Sequence, residues 1–192
     1  MSKPKLLLYG GKSFSDTIEE LAVTCGYEIV ARIDDYDPCP PSVITLDCAA
    51  KIYPSSSHSI ALSIGYNDLI ARLEAYHRIT RLGYIAATLV HPTAYVSPSA
   101  LVGQGSLIMA QSCVDCRVVI GEICVLWPRA CINHDVFVDR NTFISPNATL
   151  CGNVHVGESS FVGASAVIVD GASLAPKTFL KMGTIYSNRA PT

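Results

Sequence analysis

Charge is scarce in this sequence. Asp, Glu, Lys and Arg make up 16% of the 192 residues and leave a formal net charge of −2. With no basic excess and no basic run, nothing marks a surface for nucleic acid. No apolar stretch reaches the ~18 residues of a membrane-spanning helix, so no membrane partner is expected. The apolar run Leu6-Leu7-Leu8 near the N-terminus is too short for a secretory signal, and a cytoplasmic protein is expected. Metal-site spacing is missing too: Cys113-Val-Asp-Cys116 has neither a second close Cys pair nor a His pair to complete it. The eight cysteines therefore read as thiols tolerated in a reducing compartment, and no metal is expected.

What is present is a period. Every sixth residue from Val90 to Leu180 is Val, Ile or Leu, sixteen times in succession, running through Ile108, Ile120, Ile132, Ile144, Val156 and Ile168. Four residues after each stands a small or compact side chain, such as Ala94, Ser112, Cys124, Ala130, Ala148 and Ala166. Six fits neither the 3.6-residue helix nor the two-residue strand, so it is a structural repeat. Six residues per flat face and three faces per turn predict an 18-residue coil of parallel β-helix. The aliphatic residue points into the prism and the small one fits at the corner. One coil cannot bury its apolar face alone, so coils must stack about 4.8 Å apart. Residues 18 apart then lie one above the other.

Residues before the repeat read differently. Lys5–Tyr9 predicts a buried strand followed by Gly10-Gly11, and Ser13–Ala22 a helix capped by Ser13 or Ser15. Glu28–Ile33 predicts a strand ending at Asp34-Asp35, Ser59–Ile64 another closed by Gly65, and Asn67–Arg81 a helix. Such alternation predicts a small parallel, Rossmann-like α/β sheet. A Gly turn after the first strand and an acid after the second is how such sheets hold nucleotides. Gly10-Gly11-Lys12-Ser13-Phe14-Ser15 is not GxGxxG, however, and a plain tight turn explains it equally. The expected division is 1–88 for the α/β domain and 89–192 for the β-helix with a short tail.

The repeat resembles that of the hexapeptide-repeat acyltransferases. The order of the two parts is similar to the nucleotide-amino-sugar N-acetyltransferase and sialic acid O-acetyltransferase family of bacterial surface-glycan synthesis. The resemblance rests on the repeat, Gly10, Asp34-Asp35, Ile64-Gly65-Tyr66-Asn67, His91-Pro92-Thr93-Ala94 and Asn133-His134-Asp135. It implies a left-handed β-helix, which the period alone does not. It also implies acetyl-CoA as acyl donor, a nucleotide sugar as partner, a homotrimer with sites between subunits, and a first domain that holds the nucleotide. Gly10, Gly11, Asp34, Asp35, Gly65 and Asn67 would then contact the substrate, and Ala164, Met182 and Gly183 would line the coenzyme A slot. The chain departs from the family at its G-x-x-G-H-G turn, where Ser13, Phe14 and Ser15 stand. It departs again at Phe143, where many members carry a second His, and at the C-terminal G-x-P-A-[KR] segment, which is missing.

Acyl transfer from a thioester needs a base for the acceptor proton, a donor for the oxyanion and a slot for the thioester. Imidazole suits the first task. His134 falls two residues after Ile132, near a corner, with Asp135 beside it to orient the ring or an adjacent ammonium. The 18-residue map puts Gly152 next to it, where an exposed N–H can meet an oxyanion. The resemblance gives the matching residues these same roles. His155 has no convergent partner and reads as a surface residue, and Trp127 should face outward, suited to a subunit interface. Three readings remain besides N-acetylation: O-acetylation of a sialic-acid-like hydroxyl, a trimeric non-catalytic scaffold, and a zinc hydratase. The last is disfavoured because His91, His134 and His155 are too scattered for a ligand set.

Overall fold

The computed structural model describes residues 3–10 and 13–188. It divides into two compact units, Met1–Leu89 and Val90–Thr192.

The first unit holds four strands, β1 (Lys5–Tyr9), β2 (Glu28–Ile33), β3 (Val43–Ile44) and β4 (His58–Leu62), and three helices, α1 (Ser13–Thr24), α2 (Leu46–Ile52) and α3 (Leu69–Arg81). The strands form one parallel sheet in the order β3-β2-β1-β4. Leu6, Leu7 and Leu8 are all fully buried, as a continuous apolar strand must be when both faces of its sheet are covered. α1 contributes Ile18, Leu21 and Ala22, spaced to fall on one helix face.

Two local expectations need correction, and two elements were not expected. Ser15 is no N-cap: it lies inside α1, fully buried, with its Oγ donating to Gly10 O and 2.7 Å from Ser63 Oγ. It fastens the end of β1 to the residue that follows β4. The helix expected from Asn67 starts later, because Asp68 Oδ1 accepts the N–H of Ala71 at 2.8 Å and caps α3. A 3₁₀ turn, Tyr66–Asp68, precedes it. Finally, β3 and α2 had no periodic signature. A two-residue strand cannot show one, and α2 is set by its cap, Thr45 Oγ1 accepting from Cys48 N.

The second unit is a solenoid of two-residue strands at six-residue intervals, stacked into three parallel sheets of five, six and six strands; one of the six-stranded sheets begins at Leu89–Val90 and the other at Tyr95–Val96. The register is 18 residues in every strand pair from Tyr95–Val96 onward, for example Cys131↔Thr149 and Ile132↔Leu150. One continuous core fills the prism. It contains the aliphatic series and also the residues four positions on, including Val118, Cys124, Ala130, Ala148 and Ala166. The corners share one device. The third residue after each inward aliphatic adopts φ near +60° from Gln111 through Arg117, Asp135, Asn141, Asn147 and Asn153 to Lys177, with glycine at 105, 171 and 183. A left-handed residue costs about 1–2 kcal/mol except for Gly and, less so, Asn and Asp, which explains their recurrence here. No helix among the described residues is long and apolar enough to cross a membrane.

Candidate active site

Two places concentrate the expected residues, one in each unit.

In the first unit a pocket of about 410 Å³ opens at the C-terminal ends of β1, β2 and β4. Order β3-β2-β1-β4 means the chain leaves β1 to opposite sides, and such a switch point is where open α/β sheets bind ligands. Gly10, Asp34, Asp35, Gly65 and Asn67 all line it; Gly11 lies outside the described residues. Gly10 is required sterically. Its φ is +142°, and a Cβ there would meet Ser63 O at 2.4 Å. A Cβ on Gly65 would meet nothing within 4 Å, so that glycine only keeps the pocket open.

The two acids differ in role. Asp35 is engaged by the protein itself: Tyr9 Oη and Arg78 Nη1 each donate to its Oδ2 at 2.5 Å, and Leu46 N donates to Oδ1 at 2.8 Å. Burial works to raise its pKa, but the hydrogen bonds from Tyr9, Leu46 N–H and Arg78 prevail and hold it below the ordinary carboxylate value. Burial and the same bond push the Tyr9 hydroxyl well above its ordinary value. Asp35 thus braces the pocket floor. Asp34 uses Oδ1 to turn its own loop, accepting from Tyr36 N and Asp37 N at 2.9 and 3.2 Å, with Tyr36 almost fully exposed at the rim. Asp68 and Glu74 add two more carboxylates, and Phe14 supplies an aromatic wall.

In the solenoid, His134 stands at the corner after the strand Cys131–Ile132. Its Nδ1 lies 2.8 Å from Asp135 Oδ2. A carboxylate only accepts, so this bond places a proton on Nδ1, and in the neutral ring the lone pair then lies on Nε2. Asp135 is itself clamped by Arg117, whose Nε and Nη2 donate to Oδ1 and Oδ2 at 2.6 and 2.8 Å. The Arg117 hydrogen bonds, and after them that of His134, hold the Asp135 carboxyl far below its usual range. Arg117 was not anticipated. Its signal was available: it lies 18 residues before Asp135, and both are left-handed corner residues whose side chains stack.

The free face of His134 meets Gly152. A Cβ at position 152 would lie 2.6 Å from His134 Cε1, 2.8 Å from Nε2 and 2.9 Å from Asp170 Oδ1. Only glycine leaves that space. Gly152 is buried, and its N–H donates to no group among the described residues. A base with an open lone pair, a carboxylate to orient it and an uncommitted N–H one coil on are the parts acyl transfer needs.

Ala164, Met182 and Gly183 fall elsewhere. They stack on one another, with Gly183 N donating to Ala164 O at 2.9 Å, but at the corner after Phe161–Val162, not at the His134 corner. Met182 is exposed. Phe143 is fully buried in its sheet, between Val125 and Phe161. Trp127 is half-buried. His155, expected to stand alone, has partners: Nε2 lies 3.1 Å from Asp139 Oδ2 and the ring meets Phe137 edge-on at 5.4 Å. His91 Nδ1 accepts from Thr93 N at 3.1 Å and lies 2.8 Å from Thr93 Oγ1, closing the first turn of the solenoid. Among the described residues no three His, Cys, Asp or Glu side chains gather as metal ligands.

Fold and relatives together make the chain an acyltransferase of the hexapeptide-repeat, left-handed β-helix kind. It is similar over nearly its whole length to the acetyltransferase domain of PglB from Neisseria gonorrhoeae FA1090, at 27% identity and a TM-score of 0.89, covering 98% of this chain and 93% of that one. The same domain solved in complex with acetyl coenzyme A matches equally, at 27% identity and a TM-score of 0.89 over 99% and 94% of the two chains. PerB from Caulobacter crescentus, solved in complex with CoA and GDP-perosamine, matches at 25% identity and a TM-score of 0.88, over 97% of this chain and 90% of that one. No protein-family model and no curated protein matches the sequence.

Proposed function

We propose that the protein transfers the acetyl group of acetyl-CoA to the amino group of a nucleotide-linked amino sugar, in the synthesis of a bacterial surface glycan. The observation that carries this reading is the arrangement of His134 Nε2 over Gly152, with Nδ1 held by Asp135 and Asp135 by Arg117. His134 takes the proton of the attacking amine, Gly152 N–H polarises the thioester carbonyl, and Asp135 keeps the imidazole in the tautomer that accepts. The complexes of the PglB domain with acetyl coenzyme A and of PerB with CoA and GDP-perosamine support the donor and the acceptor class. The pocket of the first unit is assigned to the nucleotide. The second carboxylate oxygens of Asp34 and Asp68, together with Glu74, suit ribose hydroxyls, and Phe14 and Tyr36 suit the face of a base.

The acting form is proposed to be a homotrimer. Gly152 and the column Ala164, Met182, Gly183 occupy different corners of one prism, so a single coenzyme A that meets both lies between two copies. The outward columns are apolar as well: Tyr95, Leu101, Phe137, Phe179 and Ile185 are all exposed in the single chain. Sedimentation equilibrium at three times the chain mass supports the trimer; a monomer that turns over removes it.

The decisive assay is thiol release from acetyl-CoA with UDP-, dTDP- and GDP-linked 4-amino sugars and with free sialic acids. Turnover on one nucleotide amino sugar establishes the reading. Turnover on sialic acid alone replaces it with O-acetylation. Inactivity together with no coenzyme A binding leaves a scaffold.

A further inference from the structure

The gap beside Gly152 has two walls. One is the His134 ring and the other is Asp170, whose Oδ1 would lie 2.9 Å from a Cβ at position 152, as close as His134 Nε2 at 2.8 Å. Asp170 stands one coil beyond Gly152 and two beyond His134, in the same corner column. It is exposed, and its contact within the protein is a long one, Asn153 Nδ2 at 3.5 Å. Among the described residues it has no cationic partner, and the Arg117 guanidinium is taken up by Asp135. A carboxylate with no cationic partner, whose Oδ1 takes only the long contact from Asn153, therefore faces the His134 ring across a space that no side chain fills.

We propose that Asp170 is a positioning residue that holds the reacting nitrogen of the acceptor and commits the site to amines over hydroxyls. The inference rests on the acetyl-transfer reading above. When a neutral amine attacks the thioester, the N–C bond forms and the nitrogen becomes cationic. Its proton then passes to His134 Nε2 and on to the sulfur as the C–S bond breaks, giving amide and free thiol. An anion beside the nitrogen stabilises that developing positive charge, and so lowers the barrier and not merely the energy of the bound state. A hydroxyl gains no comparable positive charge, because its proton leaves as the bond forms. Before reaction the carboxylate also accepts one N–H of the amine, turning the lone pair toward the carbonyl carbon. The neutral amide product loses this attraction and is released.

The test compares wild type with Asp170→Asn and Asp170→Glu, on each nucleotide-linked 4-amino sugar of the panel and on its 4-hydroxy counterpart with the same nucleotide. Asp170→Asn should lower kcat/KM for the amino sugar about 10- to 100-fold, the worth of a hydrogen bond to a charged group. It should leave the KM for acetyl-CoA within about twofold, an effect too small to count as a lost contact. The ratio of amine to hydroxyl turnover should fall by the same factor, and Asp170→Glu, which keeps the charge, should recover most of it. Because Asp170 is exposed, thermal melts of the variants should match wild type, and Asp170→Ser serves as a second neutral variant if Asn perturbs the turn. An unchanged amine-to-hydroxyl ratio overturns the proposal, as does a loss that appears only in the KM for acetyl-CoA, which would place Asp170 on the donor. A wild type active on hydroxyls alone overturns it while leaving acetyl transfer standing. A wild type inert on every acceptor removes both.

Discussion

The two units hold their functional side chains by different means. In the solenoid, His134 faces Gly152 and Arg117 clamps Asp135 because each pair lies 18 residues apart on a stack of equivalent turns. In the first unit, Asp35 meets Arg78 from 43 residues away and Tyr9 from 26, and only the packing of α3 and β2 around β1 joins them. A stacked site is supported by neighbouring coils alone, so a change in one coil is felt by the next and little further. A convergent site depends on the whole small core. Damage to the solenoid corner should cost chemistry at little cost to folding, whereas damage to the pocket floor should cost folding first.

The largest effect expected is at His134. His134→Ala should lower kcat about 10²–10⁴-fold while circular dichroism and the melting temperature stay at wild-type values, since the side chain is half exposed. A large shift in melting temperature would break the contrast between the units. Next comes Gly152→Ala. The new methyl cannot coexist with the His134 ring at 2.6 Å and should cost about 10²–10³-fold, as loss of an oxyanion donor does. Gly65→Ala, whose Cβ meets nothing, should leave the fold intact, and melts of both variants side by side test this. Third, Asp135→Asn turns one of the two accepting oxygens into an amide donor, so Arg117 and His134 Nδ1 can no longer both be satisfied; it should cost about 10- to 100-fold in kcat with the KM for acetyl-CoA unchanged.

The smallest effect should appear in stability against pH. Asp35 has a folded-state pKa below its unfolded value, so it binds protons more readily when unfolded. Its contribution is in place above the unfolded carboxylate value of about 3.9 and is lost as pH falls through the folded value. Urea midpoints of wild type and Asp35→Asn should therefore differ at pH 7 and converge as pH drops below about 4. A gap that persists at low pH would mean that Asp35 acts through shape and not charge.

Periodicity decided what could be read from the chain. The inward residues, the corner with His134 and the placing of Gly152 beside it all follow from 18-residue stacking, and the structure reproduces them. Arg117 and Asp170 belong to the same columns and were equally legible from the 18-residue spacing. The pocket lining after β1, β2 and β4 was legible from the Gly and Asp positions. Arg78 and Tyr9 were not, because nothing local marks a side chain whose partner is set by tertiary packing. The corner holding Ala164, Met182 and Gly183 was expected to work with Gly152, yet one chain presents them apart. A sequence map of a prism gives the column of a residue but not which columns of two prisms come face to face.

The 18-residue coil also governs how such a chain can change its length. Adding or removing one whole coil preserves every stacked pair on either side of the change. Any other number of residues must leave the prism as a bulge at a corner, or it rotates every later side chain onto the wrong face. Between His134 and Gly152 even a whole coil is forbidden, since it would separate the imidazole from the glycine that it packs against. Length variation in proteins of this architecture should therefore come in coil-sized steps at the ends of the stack and in corner loops elsewhere, with the stretch from Arg117 to Asp170 kept at constant spacing.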